Sequence, residues 1–154
     1  MDFLNAKPVL IGIHLVFAIT GIDGFLWLLG ELAANTVNTK RRVWAATIGV
    51  IGLTASWFTG GYYYLKFYGS LVKPVIVAGV APWAHEIFME TKEHIFLFVV
   101  PMAFTGLCIA LLDQETINRI GLKRSAMWLV GTVAGIGLLV GAMGYIISSA
   151  ARWG

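Results

Sequence analysis

The chain has 154 residues, of which 58% are hydrophobic and only 12% are charged, and its mean hydropathy is +0.81. Soluble domains carry about 25% charged residues, so this composition excludes an ordinary water-soluble domain. The net charge is only +3 and the basic residues occur in short clusters, which excludes nucleic acid as a partner. The single cysteine, Cys108, excludes an intramolecular disulfide and a zinc site built from thiolates.

Four segments are long and apolar enough to cross a bilayer, which takes about 20 mostly apolar residues in a helix. They are predicted at about 8–30, 43–64, 83–112 and 125–147. Inside lipid every backbone polar group must be satisfied within its own segment, so these spans are helices. We therefore predict an all-α integral membrane protein. It is a four-transmembrane-helix bundle that forms a single transmembrane domain over residues 1–154, with the first span retained rather than cleaved as a signal.

Clustered basic residues predict the orientation of the chain. The loops at 35–42 and 113–124 hold most of them, and the positive-inside rule places such loops in the cytoplasm. Both termini are then outside, and the predicted location is the cytoplasmic (inner) membrane. The loop at 66–82 is expected to contain no stable long helix, because Pro74 and Pro82 interrupt it.

Span four contains two Gly-x-x-x-Gly pairs, Gly131/Gly135 and Gly137/Gly141. Such spacing places small residues on one helix face and lets two backbones approach closely. Packing within the bundle is the favoured interpretation, and the glycines of span two are a candidate for the partner face. Homodimerisation, or assembly into a larger membrane complex through this glycine-rich span, is the alternative.

Ionisable residues inside the predicted spans are the candidate functional residues, because they are costly in lipid. The stretch from Trp83 to His94 opens span three with a dense set of them. At about 100° per residue, one sector of this helix is acidic and polar: it holds Glu86, Glu90, Glu93 and, farther along, Thr105. His94 lies about 40° beyond Glu90. The opposite sector, where we expect membrane-interface chemistry, holds His85, Met89 and Lys92.

Span one carries two further candidates, His14 and Asp23, which lie on opposite faces because they are nine residues apart. Asp23 is predicted near the depth of Thr54 and Thr105. The favoured interpretation is a structural hydrogen bond to a neighbouring helix, or a protonated carboxyl. The alternative is a proton-relay network that joins Asp23, Glu86 and Thr105.

Three functions are compatible with these residues. No nucleophile, phosphate-loop or hydrolase motif is present, so no catalytic residue is predicted. The favoured function is a small subunit, assembly or scaffold protein with a polar His/Glu site near the outer face. A second is a redox protein in which His14 and His94, at similar depth on parallel spans, bind a b-type haem. The third is divalent metal or proton handling by Glu90, Glu93 and His94, whose mixed N/O ligands suit a transition metal.

The layout of the spans, the His14/His94 pair and the run Trp57-Phe58-Thr59-Gly60-Gly61 carry a resemblance to known families. The chain resembles small four-helix bacterial membrane cytochromes b and the copper-resistance D membrane family. The resemblance covers the arrangement of the spans as a pattern. It implies a bacterial inner-membrane protein. The cofactor stays open, with haem b as the candidate that the cytochromes b suggest, and no ligand residue is taken from the resemblance.

Overall fold

The structure, a computed structural model, describes residues 6–153, which are helical throughout apart from short connections. The α-helices are α1 (Lys7–Ala33), α2 (Thr39–Tyr63), α3 (Lys73–Ala78), α4 (Glu90–Ala110), α5 (Gln114–Arg119) and α6 (Lys123–Trp153). Two segments have π-helical hydrogen bonding, Tyr64–Val72 and Ala84–Met89. The first π-helical segment joins α2 to α3, and the second leads directly into α4.

Four helical stretches of the described residues are long and apolar enough to cross a membrane: Lys7–Ala33, Thr39–Ala78, Ala84–Ala110 and Lys123–Trp153. The prediction of an all-helical chain with four such helices is confirmed. The expectation for the loop at 66–82 is wrong as far as residue 78. Pro74 lies in the first turn of α3, directly after the π-helical segment Tyr64–Val72 ends. Tyr68 and Ile76 are buried on this extension, so core packing stabilises it.

The four long helices form a ring in which chain neighbours are adjacent. Helix α1 packs against α2 and α6, and α4 packs against the same two helices, so α1 and α4 occupy diagonal corners. One end of the bundle carries the connections at 34–38 and 111–122, and we call it the basic end. The other end carries both π-helical segments, and we call it the π end. Short connections between antiparallel helices are typical of such bundles.

Helices α1 and α2 approach each other through glycines. A Cβ atom added to Gly24 would lie 2.5 Å from the backbone nitrogen of Gly49, and one added to Gly52 would lie 2.5 Å from that of Gly21. The fully buried ring of Phe25 lies against Gly49. The bundle core is therefore built on direct backbone contact between these two helices.

The predicted partnership between span four and span two is wrong. Gly49, Gly52 and Gly60 of α2 face α1. In α6, an added Cβ of Gly137 would lie 2.8 Å from Ile22 of α1 and one of Gly144 would lie 3.2 Å from the Lys92 ammonium of α4. Gly135 and Gly141 have nothing within 4 Å of an added Cβ. Glycine spacing identifies a face that can pack closely, but it does not say which of several glycine-bearing helices uses that face.

Arg42 ties the connections together at the basic end. Its guanidinium is fully buried and donates hydrogen bonds to the Thr36 carbonyl (2.6 Å), the Gln114 Oε1 atom (2.7 Å) and the Leu112 carbonyl. One side chain thus joins the α1–α2 connection to the α4–α5 connection. Arg42 was grouped with the surface charges that orient the chain, and the structure instead uses it inside the bundle.

The loop predicted at 113–124 contains the short helix α5, which begins at a capped turn. The Asp113 carboxylate accepts hydrogen bonds from the Thr116 backbone N–H (2.7 Å) and hydroxyl (2.9 Å). These hydrogen bonds, the backbone one first, hold the pKa of Asp113 below its usual value. The cap fixes the start of α5 and so places Gln114 beside Arg42.

Substitution of Gly24 or Gly52 by alanine will destabilise the bundle by about 1–3 kcal/mol, because the new methyl group overlaps backbone atoms of the facing helix. Thermal unfolding of the purified protein in detergent measures the change. Gly135→Ala is the matched control in open space, and its stability should be unchanged or slightly raised. Equal losses in all three variants would show that α1 and α2 are not in backbone contact.

Candidate functional site

A group of polar side chains from three elements meets at the π end. We call it the π-end cluster, and its members are Tyr64, Tyr68, His85, Glu90, Lys92 and Glu93. The two tyrosines come from the first π-helical segment, the histidine from the second, and the remaining three from the start of α4. The segments converge because Tyr68, Val72 and Ile76 pack with Ala84 and Ile147 in a small apolar core at this end.

His85 is the central residue of the π-end cluster. Its imidazole Nδ1 lies 3.0 Å from the Tyr68 hydroxyl, and both side chains are buried. Its Nε2 atom lies 3.8 Å from Glu90 Oε1, a distance that is an ion-pair contact but too long for a hydrogen bond. The His85 side chain is 7% exposed and that of Glu90 is 51% exposed. The three residues therefore form a chain that runs from the protein surface to a buried hydroxyl.

The π-helical turn explains why His85 and Glu90 meet. Five residues apart on a regular α-helix, they would be separated by about 140° around the axis. In a π-helix the backbone hydrogen bonds join residues five apart, and the segment Ala84–Met89 has this bonding. The prediction that His85 faces away from the acidic residues is therefore wrong. It assumed a regular α-helical phase through this segment.

A second group within the π-end cluster joins Glu93, Tyr64 and Lys92. The Tyr64 hydroxyl interacts with the Glu93 carboxylate, while the Oε1 atom of Glu93 is buried and receives no hydrogen bond. The Lys92 ammonium turns into the bundle, 3.2 Å from where a Cβ of Gly144 would lie, and its charge interacts with Glu93. The rings of Tyr64 and Tyr68 stack at 5.1 Å, so this group adjoins the histidine chain.

His14 lies on α1, facing α2. Its Nδ1 atom is 2.9 Å from the Ser56 carbonyl oxygen and 3.0 Å from the Ser56 hydroxyl. The ring rests on Gly60, where an added Cβ would lie 2.8 Å from it. The charge of Lys92 acts on this histidine from α4. Gly60 thus leaves room for the imidazole, and Ser56 forms a hydrogen bond with it.

The acidic sector predicted on span three faces mostly outward. Glu86, Glu90 and Thr105 are exposed, and the Thr105 hydroxyl donates to the Pro101 carbonyl of its own helix at 3.0 Å. Glu93 is half-buried and is the member of this sector that reaches the interior. Lys92, expected on the membrane-interface side, points into the bundle. The assignment of the two sectors is therefore wrong for His85 and Lys92, which turn inward, and for Glu86 and Thr105, which lie at the surface.

Asp23 occupies the middle of α1 on its exposed face. No hydrogen bond or ion pair joins it to another of the residues that the structure describes. The expected hydrogen bond to a neighbouring helix is absent from this part of the chain, because the inward face of α1 is taken by Gly21, Gly24 and Phe25. The structure does not join Asp23 to Glu86 or Thr105.

The predicted haem ligands have different surroundings. His14 is bonded to α2, whereas His94 is exposed and its Nδ1 atom lies 2.6 Å from the Glu90 carbonyl oxygen of its own helix. Their helices, α1 and α4, stand on a diagonal of the ring, and an exposed His94 does not point across it. Haem coordination by this pair stays a prediction that the arrangement does not favour.

No three His, Cys, Asp or Glu side chains are grouped as a metal site within residues 6–153. Glu90, Glu93 and His94 are thus not gathered as ligands: Glu93 turns inward, and Glu90 and His94 lie at the surface. The structure brings Glu90 to His85 instead.

A spacing of seven residues is the sequence signal for the inward side chains. Val99 and Gly106 lie on the buried face of α4, and two further steps of seven toward the N-terminus reach Lys92 and His85. Seven residues are close to two helical turns. The buried face of the apolar part of α4, continued toward the N-terminus, therefore predicts which polar residues turn inward.

Comparison with known proteins adds no assignment, since no family model, curated protein or solved structure matches this chain. The resemblance to membrane cytochromes b and to the copper-resistance D family therefore stays a prediction. The geometry of the site has to carry the functional argument.

Replacement of Tyr68 by phenylalanine will destabilise the protein by about 1–3 kcal/mol, because it leaves a buried His85 nitrogen without its partner. Tyr145→Phe, an exposed tyrosine elsewhere on the bundle, should change stability by less than about 0.5 kcal/mol. Thermal or denaturant unfolding in detergent compares the two. A loss no larger for Tyr68→Phe than for Tyr145→Phe would mean that the hydroxyl does not bond His85.

Proposed function

We propose that this chain is an integral membrane protein whose π end takes up and releases protons through Glu90 and His85, with Tyr68 as the hydrogen-bond partner of His85. Four helices of sufficient length and hydropathy support the membrane location. The observation that carries the proton site is a buried imidazole between a buried hydroxyl and a partly exposed carboxylate. The basic loops at the other end of the bundle favour a topology in which the π end lies on the outer side of the membrane.

Histidine suits this role because its unperturbed pKa lies within the physiological range of pH. In the neutral state, His85 donates Nδ1–H to the Tyr68 oxygen and keeps a lone pair on Nε2, toward Glu90. The Glu90 carboxylate accepts a proton from water and passes it to Nε2, through one bridging water or after a short side-chain rotation. Glu90 is then a carboxylate again and His85 is an imidazolium. Release follows the same steps in reverse.

The proton path ends at His85. Toward the basic end, the bundle interior is the apolar core that contains Phe25, Leu53, Val99 and Val133. A proton held at His85 therefore returns to the side from which it came, or it passes to a group supplied by another molecule. This arrangement fits a small subunit that presents a protonatable group, and not a transporter that works alone.

The exposed carboxyl of Asp23 supports a role within a larger membrane complex. It lies about three residues, or about 4.5 Å, from the middle of α1, and an ionised carboxylate at this depth costs about 2.5–3.5 kcal/mol when it faces hydrocarbon. Contact with a donor on a neighbouring protein would offset that cost. An assembly role and a proton-exchange role are compatible, because Asp23 is on the exposed face of α1 and does not belong to the π-end cluster.

Nuclear magnetic resonance on protein with ¹⁵N-labelled histidine, in lipid nanodiscs between pH 5 and pH 8, tests the proposal. His85→Gln identifies the His85 signals. We expect the ring protons of His85 to exchange with water, and Glu90→Gln to slow that exchange by about tenfold or more. Glu86→Gln removes another exposed carboxylate, four residues earlier in the chain, and should leave the rate unchanged.

Equal effects of Glu90→Gln and Glu86→Gln would contradict a proton path through Glu90. Membrane insertion has its own test, extraction of cell membranes with alkaline carbonate. An integral protein stays in the membrane pellet, and recovery in the supernatant would contradict the membrane location.

A further inference from the structure

We propose that the groove between α1 and α6 at the basic end binds the headgroup and upper acyl chain of an anionic phospholipid. The groove is open to the bundle surface and has a volume of about 830 Å³. Binding sites for small ligands range from about 300 to 1,000 Å³. The inference rests on the proposed membrane location and is independent of the proton site, which lies at the other end of the bundle.

The mouth of the groove is basic. Lys123 and Arg124 open α6 side by side, and both line the groove. The Lys123 ammonium donates a hydrogen bond to the Ala33 carbonyl at the end of α1 (3.2 Å), which holds this charge between the two helices. No acidic residue is among the side chains that line the groove. The mouth therefore offers two positive charges to an anion and no carboxylate to repel it.

The floor of the groove is apolar. It is lined by Leu29 of α1 and by Met127, Trp128 and Gly131 of α6. Gly131 keeps the floor open, because its added Cβ would meet only Leu29, at 3.8 Å. From Lys123 to Gly131 the groove follows α6 for about 12 Å. Trp128 is exposed beside it, and tryptophan concentrates at the depth where headgroups meet acyl chains.

The order of these groups matches a phospholipid. The positive charges lie at the mouth of the groove, at the membrane surface, and its apolar floor continues toward the bilayer centre. Basic pockets that hold anionic headgroups between helices have the same arrangement. A soluble phosphate would use the mouth alone and leave the floor empty. A zwitterionic lipid would fill the floor but gain little from Lys123 and Arg124.

Native mass spectrometry of the full chain, purified in detergent and stripped of lipid, tests this inference. The probes are phosphatidylglycerol and phosphatidylcholine with identical acyl chains. We expect phosphatidylglycerol to bind about tenfold more tightly, and Lys123→Gln/Arg124→Gln to remove most of that preference. Gly131→Phe fills the floor without a change of charge and should weaken binding of both lipids.

Lys40→Gln/Arg119→Gln is the matched control, since it removes two positive charges from the same end but outside the groove. It should keep the preference for phosphatidylglycerol. Equal binding of the two lipids, or equal loss in both double variants, would overturn the inference. Full competition by glycerol 3-phosphate would assign the mouth to a soluble phosphate instead. Release of the protein from membranes by alkaline carbonate is a separate outcome, and it would contradict the membrane location itself.

Discussion

Backbone contact between α1 and α2 is the constraint on which the rest of the bundle depends. At Gly24 and Gly52 the backbone of the facing helix leaves no space even for a Cβ atom. This contact turns the opposite face of α1 outward, with Asp23 on it, and places His14 over Gly60 farther along the same interface. Close approach of small residues replaces the hydrophobic driving force that is missing between helices in lipid.

Local composition was sufficient to predict the four long helices, because hydropathy and length alone decide whether a segment can cross a bilayer. Local composition was not sufficient to predict which face of each helix packs against which neighbour. Glycines in α6 satisfy the same spacing rule as those in α1 and α2, yet Gly135 and Gly141 meet no other helix. The choice among them depends on the complementarity of two surfaces, which no single segment contains.

The structure brings together only some of the side chains that the stretch from Trp83 to His94 offers as a candidate site. Glu90 and Glu93 belong to the π-end cluster, whereas His94 lies outside it and His85 lies at its centre. Two causes combine: the inward face of α4, which Val99 and Gly106 mark, was assigned to the wrong sector, and the π-helical segment Ala84–Met89 brings His85 and Glu90 together. A π-helical turn changes the angle between successive side chains, and the packing of Tyr68 and Ile76 against α6 and Ala84 accompanies it. Residues 64–72 carried no local pattern that distinguishes a π-helical turn from an α-helical one.

The contact between Tyr68 and His85 is the central claim, and a solid-state NMR measurement of dipolar coupling tests it most directly. Protein with ¹³C at the tyrosine ring carbon that bears the hydroxyl and ¹⁵N at histidine Nδ1 is placed in lipid bilayers. A coupling that disappears in both Tyr68→Phe and His85→Gln is the predicted result. A spectrum with no such coupling, in which His85 behaves like the exposed His94, would contradict the buried chain from Glu90 to Tyr68.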